Sequence, residues 1–489
     1  MFKKNNEDNK LNQNDFAKTL KVFQRKKEKQ EAKNNKLLSQ KINEIQKSKI
    51  FDRTKIAELV LLFERLKKGR QWKRNPVSTE LYYYDQGYWK RDLTKEQEII
   101  KKTISKTLRK IKRSWNKRSK INEISDEIEI IISDIENEKL FDPGTSPNLD
   151  LINVKNGMLD WKSNDLKPHD HNYHSIFQLN VKYNPDATYE KWQEALDSWI
   201  PEKRTQMFLQ EFAGYMLIPD TSFDKAVILY GSGSNGKSTF LTLLKNLFGK
   251  NNLSSHSIDK FTDKNQSRWT TRYVMDKLVN ICSDMGPNYL TDTGVIKTMI
   301  AGETTPAEIK FGAAFEFIPV TRFIFSANEL PKSRDKSEGW YRRLEFVEFP
   351  NHFAPSDKSF DRNLDLKLYR ELPGIFNWAL EGLKRLYEKE IFTISNSMRR
   401  SKAEYRDDND PIRAFIEENL VHTEDLENDY IVTQKVYEDY QRWSTRNGYP
   451  KYETKNTFSR VMKRNGFKVK PKSIKSTPKR CYLGIKYKE

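Results

Sequence analysis

Ala226-Val227-Ile228-Leu229-Tyr230-Gly231-Ser232-Gly233-Ser234-Asn235-Gly236-Lys237-Ser238-Thr239 is the stretch on which the reading of this chain turns. Its first five residues are an apolar run suited to a buried strand, and Gly231 to Ser238 fits the pattern GxxxxGK[ST]. Thr239 to Phe248 then reads as a helix stopped by Gly249. Strand, glycine-rich turn and helix in this order gather backbone N–H groups and the positive end of a helix around one point. That geometry suits phosphate. Gly231, Gly233 and Gly236 let the backbone turn inward, and Ser234, Asn235 and Thr239 complete the cradle. Lys237 reaches the β/γ oxygens of ATP, and Ser238 can ligate Mg²⁺. The competing reading, a Gly/Ser-rich turn with a chance Lys-Ser pair, leaves the flanking strand and helix unexplained.

A P-loop site of this kind needs an acid on a neighbouring strand to hold or polarise a magnesium-bound water. Leu278-Val279-Asn280-Ile281-Cys282-Ser283-Asp284 is a mostly apolar run that ends in one, which makes Asp284 the candidate; the alternative is an Asp that caps a turn. A third run, Arg322 to Ala327, delivers Asn328, whose amide could orient an attacking water, although Asn-Glu-Leu-Pro alone is only a turn signal. Trp340-Tyr341-Arg342-Arg343-Leu344 precedes an alternating strand, Glu345 to Phe349. It places two arginines where a neighbouring subunit's nucleotide could be reached, or where a surface ion pair forms.

Charge points to a second anion. The 489 residues carry 88 Lys+Arg and 68 Asp+Glu, a formal net charge of +20. Residues 1–50 hold 14 basic and 6 acidic residues, residues 101–120 ten basic and none acidic, and residues 451–489 thirteen basic and two acidic. These three segments together exceed the whole chain's excess, so the remainder is net acidic and the basicity is local. Such patches bind nucleic-acid phosphates by releasing counterions, although a single charge run is by default a solvated helix face. With 36% hydrophobic and 32% charged residues the chain reads as soluble and globular, with at least three units. No signal core follows the N-terminus and no apolar run approaches a membrane span, so the expected compartment is the cytoplasm.

Two cysteines cannot build a disulfide framework or a four-cysteine zinc site. Cys282 reads as a core hydrophobe and Cys481 as a strand residue, while His169, His171 and His174 read as ordinary loop histidines rather than metal ligands.

The organisation expected along the chain begins with a basic arm, partly disordered or helical, over 1–50, and a small mixed α+β domain over 51–150. The latter has a helix from Ile56 to Lys68 ending at Gly69, an aromatic hairpin around Asp85-Gln86-Gly87, and a helix with Ile99, Ile100, Ile104, Leu108 and Ile111 at helical spacing. Connecting strands and a helical collar occupy 151–205, a P-loop core 206–394, and a polar linker 395–408. Residues 409–489 read as a winged helix, with three helices and a basic two-stranded ribbon. Its third helix presents Lys455, Arg460, Lys463 and Arg464 to DNA, along with Thr457 and Ser459; a protein-binding winged helix is the alternative.

Taken in order, these motifs resemble the superfamily 3 AAA+ helicases, in the phage/plasmid primase-helicase branch that includes poxviral helicase-primases and replication initiators of bacterial mobile elements such as pathogenicity islands. The resemblance also rests on Asn153 to Asp160, Tyr183 to Ala187, Gly302-Glu303, Lys310-Phe311-Gly312, Phe315 to Pro319, and Leu372 to Trp378. It implies an α/β AAA+ core, with Lys237 and Ser238 as the Walker A pair and Asp284 as the Walker B acid. Asn328 becomes sensor 1, Arg342 or Arg343 a trans arginine finger, and Lys310 and Phe311 part of a DNA-contacting hairpin in a central channel. It further implies ATP and Mg²⁺, origin duplex and single-stranded DNA, a hexamer moving 3′ to 5′, and host replication proteins as partners. The chain departs from the pattern in having Ser283-Asp284 where a second acid and Glu are common; Glu303 is a weaker substitute for the base. Only about 200 residues precede the P-loop strand, with no metal-binding carboxylate pair standing out among them, so no primase activity is expected. The leading expectation is a replication initiator and self-loading DNA helicase. A non-motor, ATP-controlled DNA-binding switch is the runner-up, and a small-molecule P-loop kinase would leave the basic segments unexplained.

Overall fold

A computed structural model describes residues 28–74, 81–92, 98–135, 148–286, 288–308, 314–354, 356, 361–447, 449, 452–474 and 476–488. The chain divides into two units, Met1–Gln178 and Leu179–Glu489.

In the first unit, residues 28–48 are helical and bury Leu38 and Ile45, so this part of the 1–50 arm belongs to a core. Residues 1–27 lie outside the described residues. Asp52 caps the helix Arg53–Lys68 by accepting from the Lys55 amide, and Gly69 ends it in the left-handed conformation at φ 63°. Strands β1 (Trp72–Arg74), β2 (Leu81–Asp85) and β3 (Tyr88–Arg91) form an antiparallel sheet. The two-residue turn between β2 and β3 has Gln86 at φ 56° and Gly87 at φ 93°, the primed geometry that matches strand twist. Helices Glu98–Ile111 and Arg118–Ile135 turn Ile100, Ile104, Leu108, Ile124 and Ile128 inward against Ile56 and Val60, which leaves most of the lysines of 101–120 facing out. Strands β4 (Leu151–Val154), β5 (Gly157–Asp160) and β6 (Asp165–Lys167) make a second antiparallel sheet. The stretch 151–205, expected to be one connector, is therefore shared: β4 to β6 lie in the first unit, while helix Glu190–Trp199 lies in the second.

The second unit is built on a five-stranded parallel sheet. Strands β7 (Ala226–Tyr230), β8 (Leu253–Ser254), β9 (Val279–Met285), β12 (Arg322–Ala327) and β13 (Leu344–Glu348) lie in the order β13-β7-β12-β9-β8, and β10 (Thr305–Glu308) pairs antiparallel with β11 (Ala314–Phe317) beside them in sequence. Parallel strands are covered on both faces, and Val227, Ile228, Ile281, Phe323, Ile324 and Phe346 are all fully buried. This mixed α/β architecture with a parallel sheet is the expected fold class.

Two expectations fail here for one reason. β13 does not alternate, since Leu344 to Val347 are all buried, and residues 395–408 are no linker. They form the helix Asn396–Asp408, capped by Ser395, which packs on β13 with Met398, Ser401 and Tyr405 buried. The Tyr405 ring lies 4.5 Å from that of Phe346. A helix covering an edge strand needs only a narrow apolar stripe, so its sequence stays polar. Glu345, 2% exposed, is balanced by Lys225 at 2.7 Å and Lys402 at 2.9 Å.

After Asp410, which caps helix Pro411–Asn419, come helices Thr433–Arg446 and Lys455–Arg464 around a core of Ile412, Phe415, Tyr440, Phe458 and Tyr482. Beside the ribbon β16 (Lys468–Ile474) and β17 (Thr477–Leu483) the module has three short strands that the sequence did not suggest. These are β14 (Leu420–His422), β15 (Tyr430–Val432) and β18 (Ile485–Tyr487), arranged as β15-β17-β16 and β14-β18. Among the described residues no helix is long and apolar enough to cross a membrane.

Candidate functional site

Because β7, β12 and β13 run parallel with Tyr230 in register with Ala327 and Glu348, the chain leaves β7 and β12 on the same rim of the sheet. Gly231 follows one and Asn328 the other. Met285 of β9 is also in register with Ala327, which brings Asp284 to that rim. Under it, Gly236 at φ 93° turns the chain into helix Lys237–Phe248. A Cβ on Gly236 would stand 2.5 Å from the ring of Trp199, so both backbone conformation and packing require glycine here. At Gly231, φ 142°, a Cβ would meet the Phe349 carbonyl at 2.6 Å.

The result is one cavity of about 610 Å³. Gly233, Ser234, Asn235, Gly236, Lys237, Ser238 and Thr239 line it together with Asp284 and Asn328; Gly231 shapes the loop without lining the cavity. Asp284 and Asn328 are exposed, whereas Lys237 is 5% exposed. The Lys237 ammonium donates to the Gly231 carbonyl at 2.7 Å and to Asn235 Oδ1 at 3.0 Å. Burial pushes its pKa down, and the charge of Asp284 pulls it back up. A buried ammonium held only by neutral oxygens is a cation suited to receive an anion. Asn235 is itself fixed by donating to the Phe349 carbonyl at 3.1 Å, and the Phe353 amide donates to the Ser234 carbonyl at 2.7 Å.

Ser283, at the position where the resemblance has a second acid, accepts from Lys245 Nζ at 2.5 Å and so pins β9 to the P-loop helix. Glu303 does not line the cavity. Cys282 is buried, and burial pushes its thiol pKa up, in keeping with a core residue. Seven lining residues carried no sequence signal: Ser198 and Trp199 at the end of helix Glu190–Trp199, and Phe353, Asp361, Arg362, Leu364 and Asp365 in the stretch beyond β13, which holds no motif.

Arg342 and Arg343 precede β13, in register with the start of β7, and therefore lie at the end of the sheet opposite the P-loop. They differ from each other. Arg343 is 8% exposed, donates to the Gly339 carbonyl at 2.9 Å and stands 3.6 Å from Asp224. Arg342 has a side chain 59% exposed and reaches the same Asp224 at 3.4 Å. Lys310 and Phe311 lie outside the described residues.

Helix Lys455–Arg464 buries Phe458 and Met462 and exposes Lys455, Arg460, Lys463 and Arg464. Lys468, Lys470, Lys479 and Arg480 of the adjoining ribbon are exposed as well, so these basic residues form a surface and not a buried network. Cys481 lies buried in β17. In the first unit His169 Nε2 lies 3.1 Å from Asn153 Oδ1 and 2.8 Å from the Val154 carbonyl oxygen, and no metal-binding cluster occurs among the described residues.

Comparison with known proteins divides the chain in three. Residues 60–201 match the family described as D5 N terminal like, residues 229–343 a family of unknown function, DUF5906, and residues 407–486 the family described as Poxvirus D5 protein-like. A protein of Acanthamoeba polyphaga mimivirus provisionally named a helicase, L207/L206, is 23% identical over 329 residues, covering 62% of this chain and 34% of its own length. Protein 121R of Invertebrate iridescent virus 3, also provisionally named a helicase, is 20% identical over 327 residues, covering 60% of this chain and 34% of its own length. The chain thus spans about a third of the length of the curated relatives it matches. Among solved structures, an A form apo structure of the NrS-1 C terminal region gives a TM-score of 0.45 at 13% identity, covering 86% of this chain and 97% of that one. A second apo structure of that region, residues 305-718, gives 0.43 at 14% identity over 89% and 100%. The two D5-type matches flank the P-loop on either side, and both viral relatives carry helicase names.

Proposed function

We propose that this chain is an ATP-driven DNA helicase of the superfamily 3 type. In this reading the parallel sheet is an AAA+ core and residues 409–489 are a winged helix that holds DNA, as a replication initiator requires. The observation that carries the reading is the convergence of Lys237, Ser238, Asp284 and Asn328 on one cavity at the rim of the sheet. Lys237 neutralises the β/γ-phosphates, and the backbone from Gly233 to Gly236 turns its N–H groups on them. Ser238 and Asp284 would hold Mg²⁺, which would offset phosphate charge. Asn328 orients the attacking water, and in this reading Asp284 takes its proton.

Arg342 is the residue we assign as the trans arginine finger. It is exposed and lies too far from its own P-loop, across the length of β7, to serve that site, which favours action on a neighbour in a ring, a hexamer in this reading. Arg343 is the buried partner of Asp224 that holds the turn. Lys310 and Phe311 are assigned to the channel contact with single-stranded DNA, and Lys455, Arg460, Lys463 and Arg464 to duplex DNA. Primer synthesis is given no place in this chain, and templated ribonucleotide incorporation by the purified protein would overturn that.

The direct test is Mg²⁺-dependent ATP hydrolysis with and without DNA. Hydrolysis that needs Mg²⁺ and disappears in Asp284→Asn is expected. Hydrolysis unchanged in Asp284→Asn would remove the cavity from the chemistry.

A further inference from the structure

The segment that leaves the sheet at Asn328 is tied to three other parts of the second unit. The Pro331 carbonyl accepts from the Tyr405 hydroxyl at 2.9 Å, and the Ser333 amide donates to Asn409 Oδ1 at 2.6 Å, both buried contacts with the helix Asn396–Asp408 and its C-cap. Asp335 accepts from Thr293 and, at 2.6 Å, from Lys297, on the helix whose chain continues into β10. Lys332 Nζ lies 4.4 Å from the centre of the Tyr449 ring. Lys336 Nζ reaches Glu453 Oε1 at 3.0 Å and Asp410 at 3.9 Å.

Glu453 is held on its far side too. Its amide donates to the Tyr440 hydroxyl at 3.1 Å, and its carbonyl accepts from the Tyr437 hydroxyl at 3.0 Å. The next residue, Thr454, caps helix Lys455–Arg464 by accepting from the Thr457 amide at 3.3 Å. The chain that leaves the rim of the cavity at Asn328 is thus followed, from Pro331 onward, by contacts that reach the first turn of the helix that exposes Lys455, Arg460, Lys463 and Arg464. Among these contacts the buried ties at Tyr405 and Asn409 are fixed supports. The Lys336–Glu453 pair differs: both side chains are about 30% exposed, and an ion pair so placed contributes little to folding. Its position beside the helix cap, not its strength, is what distinguishes it.

We propose that Lys336 is a positioning residue that links the nucleotide cavity to the helix Lys455–Arg464, so that a nucleotide bound at one changes the affinity of the other for DNA. This rests on the functional reading above and adds to it a route between its two sites. Linkage makes the effect reciprocal: DNA must change nucleotide affinity by the same factor.

The test uses the full chain, a labelled duplex, and a non-hydrolysable ATP analogue with Mg²⁺. In the wild type the two DNA dissociation constants, with and without the analogue, should differ by about 5-fold or more, and the two nucleotide constants, with and without DNA, by the same factor. Lys336→Ala should bring both ratios close to one while leaving nucleotide-free DNA affinity and the melting temperature unchanged. Lys336→Arg, and Lys336→Glu combined with Glu453→Lys, should restore most of the ratio, which a general loss of folding would not allow. A wild-type ratio of one, with ATP hydrolysis and DNA binding both intact, overturns the link and leaves the reading of the two sites standing. A ratio in Lys336→Ala equal to wild type overturns it equally. A wild type that binds neither nucleotide nor DNA overturns the functional reading itself.

Discussion

Replacing Lys237 by alanine should separate stability from activity. Lys237 is 5% exposed and its ammonium is held by two neutral oxygens, at 2.7 and 3.0 Å. Hydrogen bonds from a charged group contribute about 1.5 to 3 kcal/mol each, while taking one ion out of water costs several kcal/mol. The two nearly cancel, and the downward push on the Lys237 pKa shows that burial outweighs the help from Asp284. Alanine should therefore shift the melting temperature by no more than a few degrees, in either direction. Hydrolysis should fall by at least about 10²- to 10³-fold, the loss that follows removal of one preorganised donor to developing charge. DNA binding should survive with its salt dependence intact, because the basic surface of the C-terminal helices makes no use of Lys237. Steady-state hydrolysis, differential scanning fluorimetry and a salt titration of DNA binding read the three quantities. A variant that melts normally and hydrolyses ATP at the wild-type rate would refute the assignment of the cavity. One that unfolds would refute the energy balance drawn from its contacts.

Further outcomes follow from individual contacts. Arg342→Ala should lose hydrolysis nearly as fully as Lys237→Ala, about 10³-fold or more, yet keep nucleotide binding, and mixing the two inactive proteins should recover some activity at interfaces that pair an intact P-loop with an intact arginine. Arg343→Ala should instead lower the melting temperature, because it leaves Asp224 with one partner fewer beside a buried backbone. Arg362→Ala should raise the KM for ATP several-fold with a smaller change in kcat, as expected of a cation that lines the cavity; equal kinetics would exclude it from the site. Burial pushes the Asp335 carboxyl up, but Lys297, Thr293 and Ser337 outweigh it and hold the group at about 2. Its contribution to stability should be complete above pH about 4, the ordinary carboxylate range, and be lost as the pH falls through about 2, so the melting difference between wild type and Asp335→Asn should shrink over that interval.

Much of the cavity was legible because its chemistry dictates local sequence. A loop that turns N–H groups inward needs glycines at φ 93° and 73°, and a buried strand before it needs an unbroken apolar run. Elements tied to distant partners were not legible. Helix Asn396–Asp408 buries only Met398, Ser401 and Tyr405, too narrow a stripe to stand out in a run of charged residues, and what it covers is a strand some fifty residues earlier. β13 read as alternating because Glu345 and Glu348 are charged, but Glu345 points inward onto Lys225 and Lys402, a compensation that only the fold supplies. The three-residue strands β14, β15 and β18 are too short to carry a period. Arg362 became part of the cavity only when the chain beyond β13 returned to the P-loop.

Strand displacement on a forked duplex, compared between the wild type and Lys237→Ala with and without ATP and Mg²⁺, tests the central claim most directly. The account predicts that the wild type separates the strands only when ATP and Mg²⁺ are both present, and that Lys237→Ala binds the fork without separating it. Hydrolysis of ATP on the fork with no strand separation by the wild type would contradict a motor and leave an ATP-controlled DNA-binding switch in its place.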